Sequence, residues 1–140
     1  MTGRTVIWNG VIERLSAHNI WLGFGRESFW LSDNPLARGF GDIASEYMPA
    51  HAHNGFIDLL VDLGLIGLAV FVIGYLATLL LALRRSYRAK TPEDLWPIAI
   101  MLFILVYNIT ESLLMKRANL FWVMYLTNFF SLRIWPKASA

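Results

Sequence analysis

The sequence has no cysteine among its 140 residues, and it has few charges. Without cysteine the chain cannot form disulfides, use a thiol nucleophile or bind a metal through thiolates. Charged residues make up 16% of the chain, against about 25% in ordinary soluble domains. The net charge of +2 is too small for a surface that tracks a phosphate backbone, so we predict no nucleic-acid partner.

Apolar side chains are abundant and account for 56% of the residues. This composition predicts an all-α integral membrane protein surrounded by membrane lipids. The uncharged run 63–83 is long enough to cross about 30 Å of hydrocarbon. We predict a membrane domain over 56–140 with three transmembrane helices, at about 56–83, 95–114 and 118–134. Trp135 is predicted to be an interfacial anchor.

Residues 1–55 are predicted to form an extracytoplasmic region without a membrane span. Its first part has apolar residues at helical spacing, which predicts an amphipathic helix on the outer membrane–water interface; these residues are Ile7, Trp8, Val11, Ile12 and Leu15. The part that follows, 22–50, is rich in glycine and proline and is predicted to be an irregular loop.

The orientation follows from basic residues in the connections between spans. Four of the eleven residues in 84–94 are basic: Arg84, Arg85, Arg88 and Lys90. The excess of basic residues in cytoplasmic loops therefore predicts that 84–94 is cytoplasmic. Residues 1–55 and a tight hairpin at 115–117 would then lie outside, and Lys137 inside.

The start of the first span carries the main candidates for chemistry, His53 and Asn54. Asn54 is predicted to cap the helix, and free amides at a helix N-terminus favour an anion such as a phosphate-bearing substrate. Gly64 and Gly67, which would expose the backbone to a neighbouring helix, lie further along the same span. On a continuous helix His53 and Gly64 would share a face. The alternative is that His53 and Asn54 only cap the helix and that Gly64 and Gly67 only allow close packing.

Glu111 is an ionisable residue within a predicted span, where such residues are costly and usually face the bundle interior. The predicted orientation places it near the outer end, at the depth of His53. It could orient His53 or bind an arginine. The alternative is a local ion pair with Lys116 or Arg117.

Further candidates are the arginines of the outer region, because arginine binds phosphate through two parallel hydrogen bonds; they are Arg4, Arg14, Arg26 and Arg38. Simple solvation is the alternative for each. His51 and His53 could form half of a metal site with Glu46 or Asp58. No other histidine is near in sequence, so we predict neither a metal nor a cofactor.

Three stretches together resemble a known superfamily. The first is His53-Asn54, followed by nine residues, Gly64, two residues and Gly67. The second is Gly3-Arg4-Thr5-Val6-Ile7-Trp8 with the later Leu22-Gly23-Phe24-Gly25, and the third is Glu111-Ser112 with Arg117-Ala118-Asn119-Leu120-Phe121-Trp122. In this order they resemble the bacterial O-antigen ligases, O-antigen polymerases and exopolysaccharide polymerases.

The resemblance implies metal-independent glycosyl transfer at the periplasmic face of the bacterial inner membrane. The donor would be a glycan on undecaprenyl diphosphate, and the acceptor another glycan or a lipid-linked glycan. His53 would be the catalytic residue, as base on the acceptor hydroxyl or in steadying the diphosphate. Arg4 would bind the diphosphate. From the arguments on the residues themselves we add Arg26, Asn54 and Glu111 to the predicted substrate site.

The resemblance also implies a larger architecture and leaves alternatives open. Members of the superfamily carry ten or more spans in a bundle like that of C-type glycosyltransferases, so this sequence is similar to their C-terminal portion. Other membrane proteins of polysaccharide assembly could be partners. One alternative is a non-catalytic membrane module of polysaccharide export or transport, in which His53 and Glu111 serve packing or proton coupling. Another is a membrane hydrolase that acts on a lipid diphosphate.

Overall fold

A computed structural model describes residues 3–40 and 49–134. These residues contain five α-helices, one short 3-10 helix and no strand, as the composition predicts. The elements are α1 (Gly3–His18), α2 (Pro35–Arg38), α3 (Gly55–Ser86), the 3-10 helix Pro92–Leu95, α4 (Trp96–Thr110) and α5 (Leu120–Ile134). Glu46, Trp135 and Lys137 lie outside the described residues.

Two helical segments are long and apolar enough to cross a membrane. They are Gly55–Ser86 and Pro92–Thr110, which consists of the 3-10 helix and α4 taken together. The third apolar helix, α5, has 15 residues and rises about 22 Å, which is short of a bilayer core of about 30 Å. The membrane character is confirmed, whereas the count of three spans is not. The predicted second span extends to 114, but α4 ends at Thr110, and residues 111–119 form a longer connection than the predicted tight hairpin.

Helix α3 is interrupted at Gly64, whose φ of 66° and ψ of −170° are not helical. The loop after α1 lies against this break. The amides of Leu65 and Ile66 donate to the carbonyls of Ile20 and Trp21, at 2.8 and 3.2 Å. In return, Phe24 and Gly25 donate to the carbonyls of Val61 and Asp62, at 2.8 and 3.0 Å. The loop therefore satisfies the backbone groups that the break leaves unpaired.

This contact requires glycine on both sides. A β-carbon at Gly64 would collide with the backbone of Trp21, and its positive φ is costly for any L side chain. A β-carbon at Gly23 would lie 2.6 Å from the carbonyl oxygen of Val61. The predicted partner of Gly64, a neighbouring helix, was wrong, because the close approach is made by a loop. The shared helix face of His53 and Gly64 was also wrong, since α3 begins only at Gly55.

The predicted apolar stripe of α1 is present, but it contacts protein. Ile7, Val11 and Leu15 are buried. Around Ile7 and Val11 lie Phe29, Ala37 of α2, Phe40 and Val61 of α3. These three residues of the stripe therefore face protein, whereas Ile12 is 40% exposed. The helices α3, α4 and α5 form a second apolar core, which includes Leu59 before the break and stacked rings of Tyr75, Trp122 and Tyr125 beyond it.

Candidate functional site

The segment before α3 is fixed by two hydrogen bonds to Ala52. Its amide donates to Oδ1 of Asp58 at 2.9 Å, and its carbonyl accepts from Nε1 of Trp8 at 2.8 Å. His53 follows with a φ of 53°, in the left-handed region. This conformation costs a side-chain-bearing residue about 1–2 kcal/mol and persists where the surroundings hold it. Trp8 of α1 and Asp58 of α3 thus hold the backbone immediately before His53.

Asn54 caps α3, as predicted. Its Oδ1 accepts from the amides of Phe56 and Ile57, at 3.0 and 3.2 Å. The carbonyl of Glu111 accepts from the Gly55 amide at 3.1 Å, and the carbonyl of Asn54 from the fourth amide of the turn. All four donors of the first turn are therefore used. The prediction that this helix end offers free amides to an anion was wrong.

Glu111 faces His53 across the site. Its Oε2 lies 3.7 Å from Nδ1 of His53, and the two side chains are 42% and 40% exposed. Nδ1 itself is shut off from solvent and has no hydrogen-bond partner among the described residues. Glu111 directly follows α4. Within the described part of the chain it forms no ion pair with Lys116 or Arg117, which was the alternative from the sequence.

Two of the predicted arginines reach this region, Arg4 at the end of α4 and Arg26 in the connection that contains Glu111. A guanidinium nitrogen of Arg4 donates to the carbonyl of Thr110 at 3.4 Å. Arg26 donates to the carbonyl of Met115 at 2.7 Å and lies 3.9 Å from the carboxylate of Glu27. Both side chains are exposed, and Arg4 is held by the longer hydrogen bond.

The other two arginines are held locally. Arg14 donates to the carbonyl of Gly10 at 3.0 Å and covers the ring of Phe40, 4.1 Å from its centroid. Arg38 donates to the carbonyl of Ser32 at 2.8 Å. Neither contacts His53, Asn54 or Glu111. The structure therefore separates Arg4 and Arg26 from Arg14 and Arg38, a distinction that the sequence did not provide.

Asp58 organises the site, a role that was not evident from the sequence. Its buried carboxylate accepts from Nε1 of Trp30 at 2.9 Å, from the Ala52 amide and from the hydroxyl of Ser112. It thereby joins the loop, the His53 segment and the α4–α5 connection beside Glu111. The sequence indicates Asp58 as a favourable acid at a helix start and as a possible metal ligand, and neither reading predicts these hydrogen bonds. Its side-chain partners are 28 and 54 residues away, which local spacing cannot show.

His51 lies beside His53, with ring centroids 4.2 Å apart. Its Nδ1 accepts from the His53 amide at 3.2 Å. Burial lowers the pKa of His51, and His53 and Lys116 lower it further, while Asp58 and Glu111 act in the opposite direction. One nitrogen of each histidine and one oxygen of Glu111 lie within 4.8 Å of one another.

A cleft of about 190 Å³ adjoins Asp58. Its lining includes three carboxylates, from Glu27, Asp58 and Asp62, but only one ammonium group, from Lys116. His53, Arg4 and Glu111 do not line it. The cleft is therefore a poor site for a diphosphate, and the side that bears Arg4 is the better candidate for an anion.

A comparison with known protein families identifies one that matches the first part of the chain. Residues 1–72 match the sequence model of a family described as O-Antigen ligase. The match covers more than half of the 140 residues and includes Arg4, His53 and Gly64, but it ends before Glu111. Comparisons with curated proteins and with solved structures found no match. The chain belongs to the O-antigen ligase family.

Proposed function

We propose that the chain takes part in metal-independent glycosyl transfer from an undecaprenyl-diphosphate-linked glycan to a glycan acceptor, in polymerisation or ligation of surface polysaccharide. Membership of the O-antigen ligase family supports a role in polysaccharide assembly at a membrane. The observation that carries the proposal is the pair His53 and Glu111, 3.7 Å apart, with Arg4 bonded to the neighbouring Thr110.

The chemistry begins at His53. The acceptor hydroxyl attacks the anomeric carbon of the donor, and its proton passes to Nε2 of His53. Imidazole suits this step because it exchanges a proton near neutral pH. Nδ1 faces the carboxylate of Glu111, which would stabilise the imidazolium that forms, as carboxylates do for histidine bases elsewhere. The bond between the anomeric carbon and the diphosphate oxygen breaks in the same step.

The departing diphosphate needs positive charge. Because the first-turn amides of α3 are all used, this charge comes from side-chain cations, and we assign it to arginine, whose guanidinium binds phosphate through two hydrogen bonds. Arg4 is the better placed of the two, since Arg26 makes a short hydrogen bond and lies near the carboxylate of Glu27. Preorganised cations of this kind stabilise charge that develops in a transition state.

We also propose that His53 and the arginines lie at the periplasmic face of the bacterial inner membrane. The basic segment 84–94 begins in the last turn of α3 and continues past its far end, and an excess of basic residues is typical of cytoplasmic loops. Cysteines at Tyr87, which is 88% exposed, and at the exposed Asp33 test this. In intact cells an impermeant maleimide should label position 33 but not position 87. The reverse result would overturn the orientation.

The transfer itself is tested in membrane vesicles from cells that make either the wild-type chain or a variant, supplied with lipid-linked glycan. His53→Ala and Arg4→Ala should each reduce the formation of longer glycans by at least about 100-fold, since positioned proton transfer alone contributes about 10²–10⁴-fold. Arg4→Lys should restore only part of the activity, because an ammonium group lacks the guanidinium fork. EDTA should have no effect.

His18→Ala is the matched control, because His18 is exposed and only stacks on Phe24, with centroids 4.4 Å apart. It should retain wild-type transfer. Wild-type rates in His53→Ala would overturn the proposal and favour a non-catalytic module of polysaccharide export. Release of free glycan, without any longer product, would favour a hydrolase.

A further inference from the structure

The side chains of His51, His53 and Glu111, here called the histidine–glutamate cluster, combine two imidazoles and one carboxylate. One ligand atom from each lies within 4.8 Å of the others. We propose that this cluster binds a Zn²⁺ ion and that the bound ion inhibits glycosyl transfer by occupying His53. The inhibition rests on the function proposed above, whereas the binding of zinc does not.

The donor set is that of zinc. Two histidine nitrogens and one carboxylate oxygen form a common three-ligand set for this ion, which leaves a fourth position for water. Tetrahedral Zn²⁺ with bonds of about 2.0–2.1 Å separates its ligand atoms by about 3.3 Å. Nδ1 of His53 and Oε2 of Glu111 are 3.7 Å apart, so this pair needs only a small shift. Calcium and magnesium prefer oxygen ligands and do not fit the set.

One further observation indicates that the cluster can accept an ion. Nδ1 of His53 is closed to solvent and lacks a hydrogen-bond partner in the described part of the chain, so an ion among the three side chains would supply one. The nearby charges act in both directions, because Lys116 opposes a cation and Asp58 favours it.

Asp58 is not available as a ligand, because its carboxylate already accepts from Trp30, Ala52 and Ser112. These bonds hold the loop segment with His51 and His53 against the connection that carries Glu111. The cluster is therefore positioned by the same residue that positions the proposed catalytic pair. A metal at the cluster would take the nitrogen of His53 that faces Glu111.

Zinc binding is measured on the purified 140-residue chain in detergent at about pH 7, with a tag that lacks histidine, by competition with a chromophoric zinc chelator. The wild-type chain should bind one equivalent. His51→Asn and Glu111→Gln should each weaken binding by more than about 10-fold, since even outer-shell changes cost about 10–100-fold. The asparagine side chain offers an oxygen in the place of Nδ1 to accept from the His53 amide, so the fold is kept.

His18→Asn, the same change at a histidine outside the cluster, should bind zinc like the wild type. Failure of the wild-type chain to bind would overturn the site, as would equal losses in His51→Asn and His18→Asn. Circular dichroism of each variant shows whether it is folded. Mg²⁺ and Ca²⁺ at the same concentrations should not displace zinc.

The inhibition is measured in the membrane vesicles. Micromolar Zn²⁺ should stop the formation of longer glycans in the wild type, and EDTA should restore it. His51→Asn should keep its basal transfer and lose the inhibition. If zinc binds but transfer continues, the inhibitory role is overturned. If no vesicle makes longer glycans, the proposed function fails, while the chelator titration still decides whether the metal site exists.

Discussion

The two parts of α3 on either side of Gly64 differ in what surrounds them. Residues 55–63, here called the polar end, pack partly through Leu59 and Val61. They also contact the loop, the His53 segment and the α4–α5 connection through side-chain hydrogen bonds, above all those of Asp58. Beyond Gly64 the same helix packs mainly through apolar side chains and stacked rings. One helix thus supports the candidate site at its start and is long and apolar enough to cross a membrane beyond it.

The two parts of α3 also differ in the side chains that they expose and bury. Beyond Gly64, α3 exposes large apolar side chains along much of its length: Ile66, Val70, Val72, Ile73, Leu76 and Leu80. Such a surface suits lipid. The polar end instead buries a carboxylate, which is tolerated only where hydrogen bonds replace water. The two parts of α3 meet at the break at Gly64. The loop can dock there without disturbing the apolar part of the helix that follows.

The largest effect is expected from Gly64→Ala, which should disturb the break between the two parts of α3. The β-carbon collides with the backbone of Trp21, and the positive φ is lost or strained. The polar end should detach from the loop, with a loss of more than about 2 kcal/mol. Thermal unfolding in detergent and the transfer assay should both report it. Gly74→Ala is the matched control, since its β-carbon would lie 3.5 Å from Phe129, an ordinary contact.

If Gly64→Ala unfolds at the same temperature as Gly74→Ala and transfers glycan normally, the break is not needed. The comparison between the two parts of α3 would then lose its physical basis. A chain that is folded but inactive would instead show that the loop contact serves the site more than stability.

Asp58→Asn should have the next largest effect, a loss of transfer of about 100-fold, the size expected when a reacting group moves by about 1 Å. The amide can still accept from Trp30 and Ala52 and can donate to Ser112, so the amount of folded protein should change little. Asp33→Asn, on the exposed loop, is the control. Normal transfer in Asp58→Asn would show that the site does not depend on this carboxylate.

The sequence predicted the parts of this molecule that rest on local spacing. The helical stripe of α1, the cap at Asn54 and the apolar runs of α3 and α4 follow from periodicity, capping preference and length. The sequence also predicted that Glu111 lies at the same end of the helices as His53, because two antiparallel spans joined by a short connection bring their outer ends together. These features need no knowledge of distant contacts.

The rest depends on contacts between residues far apart in the sequence. A glycine within an apolar run can admit a helix or a loop, and only the position of Trp21 decides that Gly64 admits a loop. The partners of Asp58 come from three segments. The free helix amides were predicted wrongly because the carbonyl of Glu111 takes one of them, and the sequence has no signal for that bond.

The central claim is that His53 and Glu111 act together at the polar end, and a double-mutant cycle on transfer in membrane vesicles tests it most directly. Glu111→Gln should reduce transfer while the amount of protein stays at the wild-type level, and His53→Ala should reduce it further. Residues that share one function have non-additive effects. The account therefore predicts that the double variant is no slower than His53→Ala alone. Losses that multiply in the double variant would contradict it, because Glu111 would then act independently of His53.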